Sequence, residues 1–428
     1  MPMTPRKIVL FISLALAASL QSAHARSTTW YTPYGYQLYK TLTDAWSYTP
    51  ETKASPVDNY FTRQATTHNG VQLAKVLDPA LIQLLQSNQL TAEQIKALEK
   101  FGAQLAAQPG GIGAALEQLA ASQNANLAAA TQGTTQQLVN RLRLILLDQP
   151  EDNDDGHFWV TNLASEGDLA GQRGSAGLGT ANQGLMVGAD WAVDYAWRIG
   201  VLGASSNSRL DARRFAANLD SWHLGAYAVR QEDPFALRLG AIYSNHTGKN
   251  QRSVEFLSHK QTIKGRYDAT SQNVFAEAGY QLGGDGYSIE PFAGLGYQRY
   301  HRGGFKEHGG SDALNVQAQT QQNLSSSFGL NLAKRYEFDN QMELVPYLSA
   351  GWKHLYGDVD SSVRQSFRYH AIDSFTVQGT ALDRNSLTLV TGLDLQLSAN
   401  HTVGLAYTSE KGTHSRHQGL TGEWRMTF

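Results

Sequence analysis

Apolar and polar residues alternate along most of the chain after residue 156. In residues 386–398, leucine recurs at positions 387, 389, 393, 395 and 397, and polar residues or glycine separate most of them. Successive side chains of a β-strand point to opposite faces, so this period of two predicts strands with one apolar and one polar face. Nine segments show the pattern clearly and three show it weakly, which predicts twelve strands. The clear segments lie near residues 185–191, 197–201, 222–228, 235–243, 274–282, 289–297, 387–397, 403–407 and 420–428, and the weak ones near 158–166, 323–336 and 344–356.

The predicted connections alternate between short and long. An even number of antiparallel strands, with short turns at one end and long loops at the other, is typical of bacterial outer-membrane barrels. Aromatic residues also gather beside the short turns, as expected of a girdle at a membrane interface. The short turns lie near residues 192–196, 231–234, 283–286, 338–341 and 399–400, the long loops near 167–177, 245–266, 302–319 and 357–385, and the aromatic residues are Trp191, Tyr195, Trp197, Phe235, Tyr280, Tyr287 and Phe428.

The polar faces of the predicted strands carry charged side chains. Lipid would penalise an arginine at mid-depth by roughly 2–4 kcal/mol, so these faces are expected to line a lumen. The sequence therefore predicts an all-β transmembrane barrel of twelve antiparallel strands over residues 151–428. The alternative is a two-sheet sandwich that buries the leucine faces between its sheets. The residues predicted to face the lumen are Arg198, Arg238, Glu277, Glu290, Asp394, Glu423 and Arg425.

The N-terminal part of the chain has a helical pattern instead. Apolar residues follow helical spacing over residues 71–121, where Thr91 and Gln94 can form a capping box. Pro109 and the two glycines after it interrupt the pattern. We predict a short, mainly helical region over residues 26–122.

A second helical run has little apolar surface to bury. It covers residues 124–147, and its segment 128–137 consists of Ala, Thr, Gln and Gly. A helix is about 10–12 Å across with its side chains, and a twelve-stranded lumen is only somewhat wider than an eight-stranded one filled by side chains. Small, uncharged side chains suit that space, so residues 123–150 are predicted to form a helix inside the lumen and a linker to the first strand.

The first 25 residues read as a secretory signal peptide. Two basic residues precede a 13-residue apolar run, and alanines at positions 23 and 25 precede Arg26. The run is too short to span about 30 Å of hydrocarbon as a helix. The chain has 35 Lys and Arg against 37 Asp and Glu, so no basic excess suggests nucleic acid. Cysteine is absent, which excludes disulfides and Cys-based metal sites and suits an oxidising compartment.

Several segments, in this order, resemble the translocator domain of classical, monomeric (type V) autotransporters of Gram-negative bacteria. The resemblance runs from about residue 116 to the C-terminus. The segments that carry it are residues 126–142 of the predicted lumenal helix, His157-Phe-Trp-Val160, residues 184–190, residues 375–379, and Trp424-Arg-Met-Thr-Phe428.

The resemblance implies a twelve-stranded outer-membrane barrel threaded by one helix, which carries an N-terminal passenger to the cell surface. It implies that Trp424, Met426 and Phe428 form a signal for the barrel-assembly machinery, with membrane lipid and periplasmic chaperones as further partners. Many members cleave the passenger between asparagines of the helix, so Asn124 and Asn126 are predicted as possible cleavage positions. Passengers of the family are usually long and repetitive, whereas residues 26–122 have no Gly-rich repeats.

Catalytic and metal-binding patterns are weak. Ser244-Asn245-His246 contains the residue types of a hydrolase triad, but adjacent residues cannot reach one another in the required geometry. Residues 151–156 begin like a calcium loop, yet position 12 of that register is Asn162 rather than Glu. We therefore predict no catalytic residue, no cofactor and no metal. The aromatic residues between Trp30 and Tyr48 are interpreted as packing, with a sugar or surface ligand as the alternative.

The predicted function is self-secretion and surface display of the N-terminal region by an outer-membrane barrel, without catalysis. One alternative is a plugged channel or structural barrel whose N-terminal region stays below or within the pore. Another is an outer-membrane hydrolase, for which His246 or His301 would be essential.

Overall fold

The computed structural model describes residues 59–87, 90–147, 156–172, 174–284, 286–338 and 342–428. The predictions for the signal peptide, the aromatic residues 30–48 and the acidic residues 151–155 lie outside this part of the chain. Among the helices described, none is long and apolar enough to cross a membrane.

Helices precede the barrel. Thr67 caps the first of them by accepting a hydrogen bond from the Gly70 N–H. The capping box predicted at Thr91 and Gln94 is confirmed, because each side chain bonds to the other residue's backbone N–H. The helices are α1 (His68–Gln86), α2 (Ala92–Ala106), α3 (Gly111–Ala120) and α4 (Gln123–Ile145), after a 3-10 turn at Thr62–Gln64.

Twelve long strands form one closed antiparallel sheet. Each strand pairs with its neighbours in the chain, and the last also pairs with the first, so that His157 lies opposite Thr427 and Leu169 opposite Ser415. The prediction of a twelve-stranded barrel is thereby confirmed. The strands are β1 (His157–Leu169), β2 (Leu178–Ala192), β3 (Trp197–Ala212), β4 (Phe215–Glu232), β5 (Phe235–Phe256), β6 (His259–Tyr280), β7 (Tyr287–Arg302), β8 (Gln319–Lys334), β9 (Glu343–Gly357), β10 (Asn385–Ser398), β11 (His401–Gly412) and β12 (Ser415–Thr427).

Large apolar side chains cover the outside of the barrel. Leu295 is 69% exposed and Leu387 is 64% exposed. Exposing so many large apolar side chains is favourable when they contact lipid rather than water. Aromatic side chains beside the short turns, such as Tyr195 and Phe235, also point outward. This surface is the apolar belt expected of a membrane-spanning barrel.

One predicted loop is wrong. Residues 245–266 are the paired ends of β5 and β6, which continue together until Phe256 lies opposite His259. The alternation is lost there because these strand ends extend beyond the lipid, so their outward residues no longer need to be apolar. Lys249, for example, points outward and is exposed.

Two long loops carry a small second sheet. Its four short strands are ordered Phe375–Gln378, Ser362–Phe367, Leu314–Val316 and Phe305–Lys306. These loops and helices α1–α3 together form what we call the cap, comprising residues 59–122, 303–318 and 358–384.

The cap and the long-loop end of the barrel share one hydrophobic core. Leu73 and Leu116 of the helices are buried in the same cluster as Leu314, Phe367 and Val377 of the loops. Strand residues such as Leu210 and Phe215 complete the cluster. The helical region is therefore packed onto the barrel and is not an independent unit.

Candidate functional site

Helix α4 runs through the lumen. Every residue from Asn124 to Gln132 is buried. Its first turn contacts the long loops through Asn124, and the carbonyl of Leu146, just past its end, accepts a 3.0 Å hydrogen bond from Arg238 Nε near the short turns. A Cβ on Gly133 would lie 3.0 Å from the His417 ring, which explains why small residues are needed in this segment.

Arg238 is the centre of the cluster at the short-turn end. Its guanidinium donates two 2.8 Å hydrogen bonds to the two oxygens of Glu290, and it lies 3.4 Å from Glu277. Asn331 donates a further hydrogen bond of 3.0 Å to Glu290. Arg238 is 1% exposed, so these buried charges are stabilised by one another rather than by water.

Two arginines of α4 reach the barrel wall. Arg141 Nη2 lies 2.5 Å from Glu423, and its Nε donates to Thr161 at 2.9 Å. Arg143 pairs with Glu277 and stands over the rings of Phe275 and Phe292. Sequence reasoning did not single out these arginines. The sequence does contain a signal for their importance, because they are the only charged residues of α4.

A hydrogen-bonded network on the lumenal faces of strands β1–β4 lies beside the C-terminal half of α4. Trp159 Nε1 donates to the Tyr227 hydroxyl at 2.8 Å, which donates to Asp190 at 2.7 Å. Arg198 and His157 each approach the other oxygen of Asp190 to 3.0 Å. Trp159 and Tyr227 belong to the buried cluster that receives Leu138 and Leu142 of α4.

Glu410 anchors the middle of the helix. Lys353 Nζ lies 2.5 Å from this carboxylate, and Gln137 and Asn140 of α4 donate to it at 3.3 and 3.1 Å. The sequence analysis missed Glu410 because its partners come from distant parts of the chain.

The structure places six of the seven predicted lumenal residues in buried positions, and Glu423 is half-buried. Arg198, Arg238, Glu277 and Glu290 lie in the clusters described above. Asp394 is 9% exposed beside Gly404. Glu423 accepts from Arg141 and, at 2.8 Å, from its strand neighbour Arg425.

Asn124 and Asn126 are fully buried at the long-loop end of α4. Asn126 donates to Ser175 Oγ at 2.8 Å and accepts from the Thr380 N–H at 2.7 Å. Asn124 bonds to Asn250, Glu307 and Gln365. Both side chains therefore join the start of the helix to the barrel and its loops.

Trp424 and Met426 lie on the outward face of β12, and Phe428 directly follows that strand. Trp424 is 37% exposed and packs edge-on against Phe158. Phe428 is 57% exposed, and its backbone exchanges two 2.9 Å hydrogen bonds with Gly156. Met426 is partly exposed between them.

Ser244 and His246 do not form a catalytic pair. Ser244 bonds to His223 at 2.7 Å, while His246 lies between Ser221 and Ser271 at 2.7 and 2.9 Å. Within the residues that the structure describes, no group of three or more His, Asp or Glu side chains is arranged to hold a metal ion.

Comparisons with known proteins agree with this architecture. The family model described as "Autotransporter beta-domain" matches residues 158–408. An "Extracellular serine protease" of Serratia marcescens is 29% identical over 278 residues, which cover 64% of this chain and 26% of that protein. The chain thus spans about a quarter of the length of the curated relatives it matches.

A solved structure of an autotransporter translocator domain shows the same fold. The translocator domain of autotransporter NalP from Neisseria meningitidis aligns with a TM-score of 0.56 at 14% identity, covering 72% of this chain and 99% of that domain. The beta domain of the Bordetella autotransporter BrkA aligns at 17% identity with a TM-score of 0.47, over 64% of this chain and all of that domain. The chain belongs to the autotransporter family, and its barrel resides in the outer membrane of a Gram-negative bacterium.

Proposed function

We propose that the barrel carries its own N-terminal region through the lumen and holds it at the cell surface as a folded cap. The single observation that carries this proposal is the core shared by α1–α3 and the long loops. Bacterial outer-membrane barrels direct their long loops outward and their short turns to the periplasm. Helices packed on the long loops are then outside the cell.

The N-terminal region stays attached in this proposal. Asn69 of α1 donates to the carbonyl of Gln378 and accepts from its N–H, both at 2.7 Å. Asn124 and Asn126 are held by the hydrogen bonds described above, so cleavage at either would have to break them first. Cleavage at these positions remains a prediction.

The proposed function needs no catalytic residue. Its partners are outer-membrane lipid, periplasmic chaperones during transit, and the barrel-assembly machinery, which would read Trp424, Met426 and Phe428. The outward placement of these three side chains on the last strand supports that role. The near balance of 35 Lys and Arg against 37 Asp and Glu gives no overall basic excess that would suggest nucleic acid.

An epitope inserted after Gln108, in the exposed turn between α2 and α3, tests the location of the cap. Antibody should label intact cells, and the tag should remain on the cell-associated full-length chain. The matched control carries the epitope after Val193, in an exposed short turn, and should be labelled only after the outer membrane is breached. Labelling of the Gln108 tag only in breached cells would overturn the proposal and favour a plugged barrel with an internal N-terminal region.

Asn69→Ala should loosen the cap. The substitution removes the two hydrogen bonds between Asn69 and the backbone of Gln378, which costs about 1–3 kcal/mol. Local opening of the cap should become roughly tenfold more frequent. External protease should then cleave helices α1–α3 about tenfold faster. Lys75→Ala, an exposed position on the same helix, is the control and should leave the cleavage rate unchanged. Equal rates for both variants would show that Asn69 does not hold the cap.

A further inference from the structure

Basic side chains cluster on the outward face of the β5–β6 hairpin, on the side away from the lumen. We call Lys249, Lys264, Arg266 and Lys306 the basic patch; all four are exposed. Lys249 lies directly opposite Arg266 in the strand pairing, and Lys264 is its diagonal neighbour. Lys264 also pairs with His308, a register that places Lys306 beside Arg266.

None of the four cations of the basic patch forms an ion pair with the residues that the structure describes. Nearby acidic side chains are engaged elsewhere, since Glu307 points inward to Arg252 and Glu255 pairs with Lys260 at the hairpin tip. Asp268 and Asp220 border the patch on the membrane side, where they accept hydrogen bonds from Thr247 and Asn207. Like charges directly opposite one another destabilise a strand pair, so the patch favours an anion between its side chains.

The distance of the patch from the apolar belt of the barrel indicates which kind of anion it faces. Lys249 stands six residues beyond Tyr243, the last large apolar residue that faces outward on β5. At about 3.4 Å per residue and a strand tilt near 40°, this is roughly 15 Å beyond the apolar belt. Phospholipid headgroups extend only about 5–8 Å beyond the hydrocarbon. The patch therefore faces the layer where sugars of outer-leaflet glycolipids would lie.

We propose that the basic patch binds phosphate groups carried on the sugars of outer-leaflet glycolipids. The proposal rests on the orientation in which the long-loop end faces outward, but not on whether the cap is exported through the barrel. Several cations spaced on one face can contact more than one phosphate at once. The barrel would thereby be fixed to neighbouring lipids on the β5–β6 side.

Binding of fluorescent lipopolysaccharide to the full chain in detergent micelles tests the proposal. The double variant K249Q/R266Q should bind about 30-fold more weakly, because each cation near an anionic lipid surface contributes a factor of about five. The control R209Q/K260Q removes two exposed cations that are each paired with an acidic side chain, and should change binding less than about twofold. Heat-dependent gel migration verifies that each barrel is folded.

The same lipopolysaccharide after removal of its phosphates is the second probe, and the wild-type chain should bind it as weakly as the double variant binds the native form. Equal binding of the two forms by the wild type would overturn the proposal. So would tighter binding of soluble heparin than of lipopolysaccharide, which would assign the patch to a free anionic polysaccharide. Surface labelling of the cap is a separate measurement, so failure of the proposed function would be distinguished from failure of this one.

Discussion

Arg238→Met should lower the free energy of unfolding by about 3–5 kcal/mol, because it leaves the buried carboxylate of Glu290 without its main partner. Glu290 would lose two hydrogen bonds and keep only that from Asn331. The carbonyl of Leu146 would also lose its donor, which detaches the end of α4 from the wall. Urea unfolding in detergent micelles, followed by tryptophan fluorescence, measures the change.

Arg230→Met is the matched control for this prediction. Arg230 lies on the neighbouring strand, its side chain is 42% exposed, and it pairs with Glu232, so its loss should cost less than about 1 kcal/mol. Adding Glu290→Gln to Arg238→Met should recover part of the stability by removing the uncompensated charge. Similar losses for the two arginine variants would refute the assigned role of Arg238.

Gly200→Ala should destabilise the barrel by about 2–3 kcal/mol. A Cβ at this position would lie 2.3 Å from the ring of Tyr227, which packs over Gly200 from the next strand. Overpacking of a buried site typically costs 1–3 kcal/mol. Displacing Tyr227 would also disturb its hydrogen bonds with Trp159 and Asp190. The same urea titration gives the change.

Gly203→Ala on the same strand is the control. The nearest atom to a Cβ there is 3.9 Å away, on Leu224, so the change should stay within about 0.5 kcal/mol. If both alanine variants unfold at the same urea concentration, the ring of Tyr227 is not confined as the structure indicates.

The sequence alone predicted most of the barrel because its signal is local. An alternation such as that of residues 386–398 depends only on lipid on one side and polar surroundings on the other. Where a strand leaves the membrane this contrast disappears, so the sequence pattern predicts a loop over residues 245–266, where the structure has paired strands. The capping box at Thr91 is equally local, since both partners lie within one helical turn.

The pairings at the site were not predictable in this way. Arg238 and Glu290 are 52 positions apart, and Asn69 and Gln378 are 309 apart. Any of several lumenal charges could have been the partner of Arg238 on sequence grounds. Barrel closure and strand register decide which of them come within hydrogen-bonding distance.

The sequence by itself determined the number of barrel strands, the faces that meet lipid, and the small-residue helix that fits the lumen, because each follows from spacing along one element. Only the tertiary structure decided that α1–α3 and the long loops form one cap, because that core is assembled from segments separated by most of the chain. It also decided how α4 is anchored, since Arg141, Arg143 and Glu410 acquire partners only when the sheet closes around the helix.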